Sequence, residues 1–252
     1  MTPYYADESV QLYLGDMREV LPALGVTADC IVADPPYSST SLPWDLWPAV
    51  WLDVAAKASN SMWCFLPRRE FVEPPFRGQD FHAAGWRFSQ PAIWEKHTGS
   101  GFAADRLKQV HEELGHWYRG PWADCYHETP CVPSGRPSRR RAVLGRNSPL
   151  HTGEVASHGW EDDGTRLHPS IIYAPSMRGR AIHPTEKPLG VLLPLIEYAS
   201  PRGGLVCDCF AGSGSTLDAA RACGRRAIGI ERHEPYAEAA AKRLSQMVLE
   251  AS

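Results

Sequence analysis

No stretch of this 252-residue sequence is apolar for long enough to cross a bilayer. Nor does a basic segment followed by an apolar run open it, so no secretory signal is expected. Disulfide rhythm is missing as well. The seven cysteines are odd in number and scattered, which argues against a disulfide scaffold and for a reducing compartment. The expectation is a soluble, cytoplasmic protein. Bulk positive charge is also lacking: the formal net charge is −3, so a polyanion would have to be held by a local basic patch. Internal repeats and low-complexity tracts are absent, which excludes a solenoid. Tight metal-ligand pairs are absent too. His111 and His116 are spaced H-x4-H and Cys125 and Cys131 C-x5-C, with His127 between the cysteines, unlike a structural zinc site. No metal is expected.

What is present suits one α/β domain with a modest insertion, at 43% hydrophobic and 22% charged residues. In "SVQLYLGD" (Ser9–Asp16), Val10, Leu12 and Leu14 alternate as in a strand. Met17, Val20, Leu21 and Leu24 then recur at helical spacing until Gly25 stops the run. Cys30–Ala33 reads as a short, fully buried strand, completing a βαβ unit. Trp47–Ser59 reads as a helix, Met62–Leu66 as a buried strand, and Gln90–Trp94 as a further strand, with Trp117–Tyr118 in another. From 120 to about 180, prolines, glycines, histidines and arginines replace apolar periodicity, as in an insert with little core of its own. After 181 the pattern tightens into a helix in "HPTEKPLGVLLPLIEYAS" and a buried strand in "GGLVCDCF". A loop and helix, the strand "RRAIGIE" and a last amphipathic helix over Pro235–Leu249 complete it.

The sharpest segment is "LVCDCFAGSGSTLDAARACGRRAIGIE". Gly212 and Gly214 allow backbone amides to approach a ligand at a helix N-terminus, where the dipole favours negative charge. Glu231 ends the next strand, where a carboxylate accepts hydrogen bonds from ribose hydroxyls. This is the pattern of a nucleoside cofactor site. A dinucleotide fingerprint would require a third glycine beyond Gly214, and the sequence has none there. Cys207 and Cys209 alternate around Asp208 on the strand, so they share a face as small apolar groups rather than forming a metal site.

A second motif, "DPPY" at 34–37, closes the buried run "CIVA". In isolation it reads as a surface turn, which Asp and Pro both favour. Its position at the mouth of a strand suggests chemistry. An exocyclic amine on a nucleobase is a poor nucleophile because its lone pair is conjugated into the ring. Asp34 can accept one of its hydrogens and the Pro35 carbonyl a second. The Pro35-Pro36 pair fixes the backbone and removes both N–H donors. Acceptors are then preorganised around developing positive charge. Tyr37 offers a flat face to an unstacked base. Both motifs follow strands, so both can meet at the carboxyl edge of a parallel sheet.

With "DCIVADPPY", "GWRFSQPAIWEK", "HEELGHWYRG", "HPTEKP", the glycine segment and "YAEAAAKRL" in this order, the chain resembles the amino-methyltransferases of DNA. The arrangement is that of the β group, where the catalytic motif precedes the cofactor motif. The resemblance implies a Rossmann-like α/β sheet with circularly permuted motif order and an inserted irregular target-recognition region. The catalytic and cofactor-binding parts would be residues 1–120 and 181–252, and the insert 121–180. It implies S-adenosylmethionine as cofactor and a base flipped out of double-stranded DNA as acceptor. Asp208, Phe210, Ala211, Gly212, Ser213 and Gly214 would surround the cofactor, and Glu231 would take its ribose hydroxyls. His183, Thr185 and Lys187 would lie at its methionyl end, and Asp16 near its adenine. Asp34, Pro35, Pro36 and Tyr37 would carry catalysis. A homodimer is compatible with this reading. The family usually has Pro where Cys209 stands and often Thr where Ser215 stands.

Asp at position 34 leans toward N6 of adenine over N4 of cytosine, where Ser is commoner in the family. Related enzymes acting on RNA or on glutamine side chains tend to carry Asn at this place and put the glycine loop first. A non-catalytic relic is disfavoured by the joint presence of Asp34, Tyr37, Gly212, Gly214 and Glu231. In the insert, "RPSRRRAVLGR" carries Arg136, Arg139, Arg140, Arg141 and Arg146 with no acid among them. Such a run suits phosphate and guanine contact, or else a solvated loop. Trp117, Tyr118, Trp122 and Trp160 are candidate stacking groups beside it.

Overall fold

Cys30-Ile31-Val32-Ala33 is buried at every residue, which a strand achieves only with a packed layer on each face. The computed structural model describes residues 1–38, 45–66, 77–100, 105, 107–134, 163–177 and 186–251. It divides into two units, Met1–Glu128 with Pro169–Ser252, and Thr129–His168.

The first unit runs β1 (Tyr5–Ala6), β2 (Val10–Leu14), α1 (Met17–Leu24), β3 (Cys30–Ala33), α2 (Trp51–Ala58), β4 (Ser61–Phe65), α3 (Arg77–Ala83), β5 (Arg87–Ser100) and β6 (Gln109–Tyr118). The second unit contributes β7 (Cys131–Pro133) and β8 (Thr165–Leu167), which pair antiparallel as a two-stranded sheet. The first unit resumes with β9 (Ile171–Tyr173), α4 (Leu189–Ala199), β10 (Leu205–Asp208), α5 (Ser215–Ala222), β11 (Arg226–Glu231) and α6 (Glu234–Ala251).

Among the described residues the first unit holds a nine-stranded sheet in the order β1-β2-β11-β10-β3-β4-β6-β5-β9. Neighbours from β2 to β4 are parallel; β6 runs antiparallel to β4 and β5. Period-2 alternation sends Cys30 and Val32 to one face, against Leu192, Ile196, Leu217 and Leu244 of α4, α5 and α6. Ile31 and Ala33 go to the other, against Val20, Leu21, Trp51 and Phe81 of α1, α2 and α3. The α/β fold, with helices on both faces of a mostly parallel sheet, is therefore as the sequence leads one to expect.

Local chemistry sets the element ends. Asp16 caps α1, accepting from Arg18 N at 2.9 Å. Gly25 closes it at φ 59° with its N–H on Leu21 O. Three expectations change. The helix read from Trp47 begins only at Trp51, because Asp45 is drawn to the amides of residues 37 and 38 and the chain turns through Val50 at φ 56° first. The strand read over Gln90–Trp94 is one arm of a long hairpin, β5 with β6, whose polar outer residues mask its length in sequence. Trp117 is not exposed to a base: it is buried in the core, stacked on Phe81 at 4.2 Å. Tyr118 and Trp122 meet edge to face at 4.9 Å, and Trp160 lies outside the described residues.

The interval 121–180 is shared between the units. Residues 121–128 and 169–177 belong to the first, and β9 joins the sheet edge with Ile93 opposite Ile171 and Ile172 buried. The pattern did not announce β9 because three residues are too few for periodicity. Among the described residues no helix is long and apolar enough to cross a membrane.

Gly229 in β11 is a close-approach position. A Cβ there would lie 2.6 Å from Leu217 Cδ1 and 3.1 Å from Ala211 Cβ, and Leu217 is itself fully buried, so its tip has nowhere to swing. We expect Gly229→Ala to lower stability by about 1–3 kcal/mol, read from urea unfolding at unchanged m-value. An unchanged midpoint would mean that α5 does not seat on β11 this closely.

Candidate active site

Two crossovers leave the middle of the sheet in opposite directions. From β10 the chain passes through α5 to β11 on one side; from β3 it passes through α2 to β4 on the other. Strands β3 and β10 are themselves parallel neighbours, with Val206 opposite Cys30 and Cys207 opposite Ile31. The loops after them therefore diverge and leave a crevice at their carboxyl ends, where open α/β sheets bind ligands. A cavity of about 410 Å³ opens there, within the size of small-molecule sites.

Asp34, Pro35, Pro36 and Tyr37 line it from the β3 side, and Asp208, Phe210, Ala211, Gly212 and Ser213 from the β10 side. Asp16, Glu186, Lys187 and Glu231 also line it. Gly214 does not line the cavity. At φ 75° it caps α5, and a Cβ there would press within 3.1 Å of Ala240 Cβ. His183, Thr185, Arg136, Arg139, Arg140, Arg141 and Arg146 lie outside the described residues.

The glycine turn is tied to the acid of the next strand. Gly212 N donates to Glu231 Oε2 at 2.8 Å and His233 N to Oε1 at 2.7 Å. Each carboxylate oxygen keeps a further lone pair, so Glu231 is oriented without being used up. Such an acid, beside a turn where Gly212 takes φ 49°, fits the sugar of a nucleoside. Asp208 accepts from Phe210 N at 2.9 Å. Burial pushes its carboxyl up to about 7, with Asp34 and Glu231 adding repulsion against the amide and hydroxyl bonds that favour the anion. Cys207 and Cys209 are free, buried thiols in the core. Asp16, besides capping α1, pairs with Arg18 at 2.6 Å, and those bonds hold its carboxyl below the usual range.

The tetrapeptide is fixed from several sides. Tyr37 hydroxyl lies 2.5 Å from Asp34 Oδ1 and 2.5 Å from the Phe65 carbonyl, one proton shared between two acceptors. Burial, then the Asp34 charge, push this phenol well above its ordinary value, so it stays a donor. Lys187 Nζ donates to Asp34 Oδ2 at 2.6 Å and lies 3.3 Å from Glu112 Oε2, while Glu112 also pairs with Lys96. Burial works against the Lys187 ammonium, but Asp34 and Glu112 outweigh it and hold its pKa above the usual lysine value. Asp45, itself buried, accepts from Tyr37 N at 2.7 Å and Ser38 N at 3.0 Å, across a turn where Ser38 takes φ 59°.

Asp45, Glu112, Lys96 and the Phe65 carbonyl were not legible as site groups. Glu112 sits in the quoted "HEELGHW" segment, but only the β5–β6 hairpin brings it to Lys187. The other histidine of that segment, His116, is buried in β6 with Ser61 Oγ 3.0 Å from its Nε2, and burial pushes it down to about 3. Among the described residues no cluster of three or more His, Cys, Asp or Glu is placed to hold a metal ion.

The family model described as DNA methylase (N6_N4_Mtase) matches residues 28–242. The type II methyltransferase M.ScaI of Streptomyces caespitosus is 25% identical, over 96% of this chain and 83% of that protein. Among solved structures, the M1.HpyAVI–SAM complex aligns with a TM-score of 0.66 at 22% identity, covering 93% of this chain and 98% of its own. The PvuII DNA methyltransferase (cytosine-N4-specific) aligns with a TM-score of 0.64 at 15% identity, covering 96% and 88%. These two likenesses are of fold.

The Asp208 carboxyl gives a pH signature. Below the unfolded value near 3.8 both states hold the proton. Between there and about 7 only the folded state does, so stability falls as pH rises through that window and is level above it. Asp208→Asn keeps the acceptor for Phe210 N and removes the titration. We expect the variant to gain stability over the wild type between pH 4 and pH 8, by roughly 2–4 kcal/mol, in urea titrations. A gain that is flat with pH would mean that Asp208 is ionised throughout.

Proposed function

The chain belongs to the N6/N4 DNA methylase family, and from that premise we propose that it transfers a methyl group from S-adenosylmethionine to the exocyclic N6 of an adenine flipped out of double-stranded DNA. The observation that carries this reading is the sharing of one cavity by two loops distant in sequence, the tetrapeptide after β3 and the glycine turn after β10. The order of those motifs along the chain is the permuted, β-group order.

The residues suit the cofactor. Glu231 takes the ribose hydroxyls with its remaining lone pairs, and Asp208, Phe210, Ala211, Gly212 and Ser213 wall the nucleoside and methionyl parts. Asp16 lies toward the adenine. When bound, S-adenosylmethionine supplies an electrophilic methyl on a sulfonium. Asp34 and the Pro35 carbonyl accept the hydrogens of the target amine, which localises its lone pair and stabilises the positive charge that develops on nitrogen. Lys187 fixes Asp34 in direction through one oxygen. Tyr37 holds the other through its hydroxyl and offers its flat face to the base. Asp at position 34 favours adenine. The fold likeness to a cytosine-N4 enzyme supports cytosine N4 as the second reading. The segment 121–180 serves as target-recognition region in this proposal, with the arginines at 136, 139, 140, 141 and 146 on phosphates.

Digestion of DNA from cells expressing the protein, followed by nucleoside mass spectrometry, separates the bases. We expect N6-methyldeoxyadenosine; N4-methyldeoxycytidine instead would establish the second reading, and neither would overturn both. Asp34→Ala should reduce transfer at least roughly 10²-fold while S-adenosylmethionine still binds by calorimetry, and retained turnover would count decisively against the role of Asp34. Replacing Arg139, Arg140 and Arg141 together by alanine should reduce the slope of log affinity for DNA against log salt by about 2–3. An unchanged slope would remove the run from the DNA interface.

A further inference from the structure

Arg243, on the last helix α6, reaches two residues of the cavity wall, Glu186 and Ser213, and a buried acid of α5. Its Nη2 donates to Glu186 Oε1 at 2.6 Å; its Nη1 lies 3.2 Å from Ser213 Oγ and 3.4 Å from Ser213 O; its Nε is 3.7 Å from Asp218 Oδ2 on α5. Glu186 and Asp218 side chains are only 1% and 3% exposed. Arg221 sits 3.9 Å from Asp218 and 3.1 Å from Asp7, extending the charges to the edge of the sheet.

Buried ion pairs of this kind add little net stability over apolar packing, and their best-attested use is to fix one arrangement among alternatives. Here the arrangement is the relation of two loops. Glu186 is bonded in sequence to Lys187, whose ammonium holds Asp34. Ser213 belongs to the glycine turn. The dipeptide 186–187 thus ties backward through Arg243 to the cofactor-side loop and forward to the tetrapeptide. A guanidinium holds its donors in a rigid planar fork, whereas the three donors of a lysine ammonium rotate on a flexible stem.

We infer that Arg243 and Glu186 act as a positioning pair that locks the glycine turn in register with the Lys187–Asp34 couple, and so sets the distance between methyl donor and target amine. The inference rests on the methyl-transfer reading above. Neither residue touches the reacting atoms; both act through Ser213 and Lys187.

The test uses the full chain with Glu186→Gln, Arg243→Lys, Arg243→Met and the double variant Glu186→Gln/Arg243→Met, which removes both charges of the pair together while Asp218 keeps Arg221 at 3.9 Å, and so keeps the fold if a single variant fails. In ligand-free protein, hydrogen exchange at the amides of residues 211–214 should speed up in each. The calorimetric Kd for S-adenosylmethionine should rise about 10-fold and kcat fall about 10²-fold, with Arg243→Lys intermediate. The double variant should lose no more than Arg243→Met alone, because Glu186 acts on the turn through Arg243. Wild-type exchange, Kd and kcat in the double variant would overturn the inference, as would single effects that simply multiply. A wild type that exchanges as expected but does not bind S-adenosylmethionine would overturn the transfer reading and this inference with it.

Discussion

The pairing of β3 with β10 is the constraint on which the rest depends. Two buried strands, 175 residues apart from Cys30 to Leu205, are hydrogen-bonded neighbours, and the crossovers that follow them leave to opposite sides. A short apolar run could pair anywhere in a parallel sheet. Only this neighbourhood brings a loop with two prolines and an acid against a loop with two glycines, and the cavity is the gap between them.

Once the loops meet, the cavity gathers carboxylates, and each is handled by different means. Asp34 is neutralised by an ammonium. Glu231 is held by two backbone amides. Asp16 is held by an arginine and a helix N-terminus. Asp208 has an amide and a hydroxyl, and burial moves its proton affinity toward neutrality. This division matches a site that receives a cationic donor next to an acceptor for hydrogens: charge is kept available at the edges and suppressed beneath the turn. Glu112 and Lys96, from the hairpin, balance Lys187, so the ammonium is steered by two acids rather than locked to one.

Sequence patterns carried the central fold because its strands are continuously apolar and its helices amphipathic. Gly25, Gly212 and Gly214 mark real left-handed turns, and Asp34 and Glu231 stand at the strand ends where the pattern put them, while Asp208, read as inside its strand, ends it. What escaped was of two physical kinds. Half-buried elements with polar outer residues, the full length of the β5–β6 hairpin and the three-residue β9, lack a periodic signature of sufficient length. Groups recruited by tertiary contact, Asp45 onto the amides of residues 37 and 38 and Glu112 onto Lys187, carry no local signal at all. Lys187 was legible as a site residue by resemblance, but its hold on Asp34 is a relation only coordinates can express.

The central claim is geometric: donor methyl and target amine occupy one crevice between the loops after β3 and β10. Diffraction from crystals grown with S-adenosylmethionine tests it most directly. The account predicts the sulfonium methyl directed at the space beside the Asp34 carboxylate and the Pro35 carbonyl, close enough for an amine there to sit at about 3–3.5 Å from the methyl carbon. A cofactor seated away from Glu231, or one whose methyl faces away from Asp34, would contradict it.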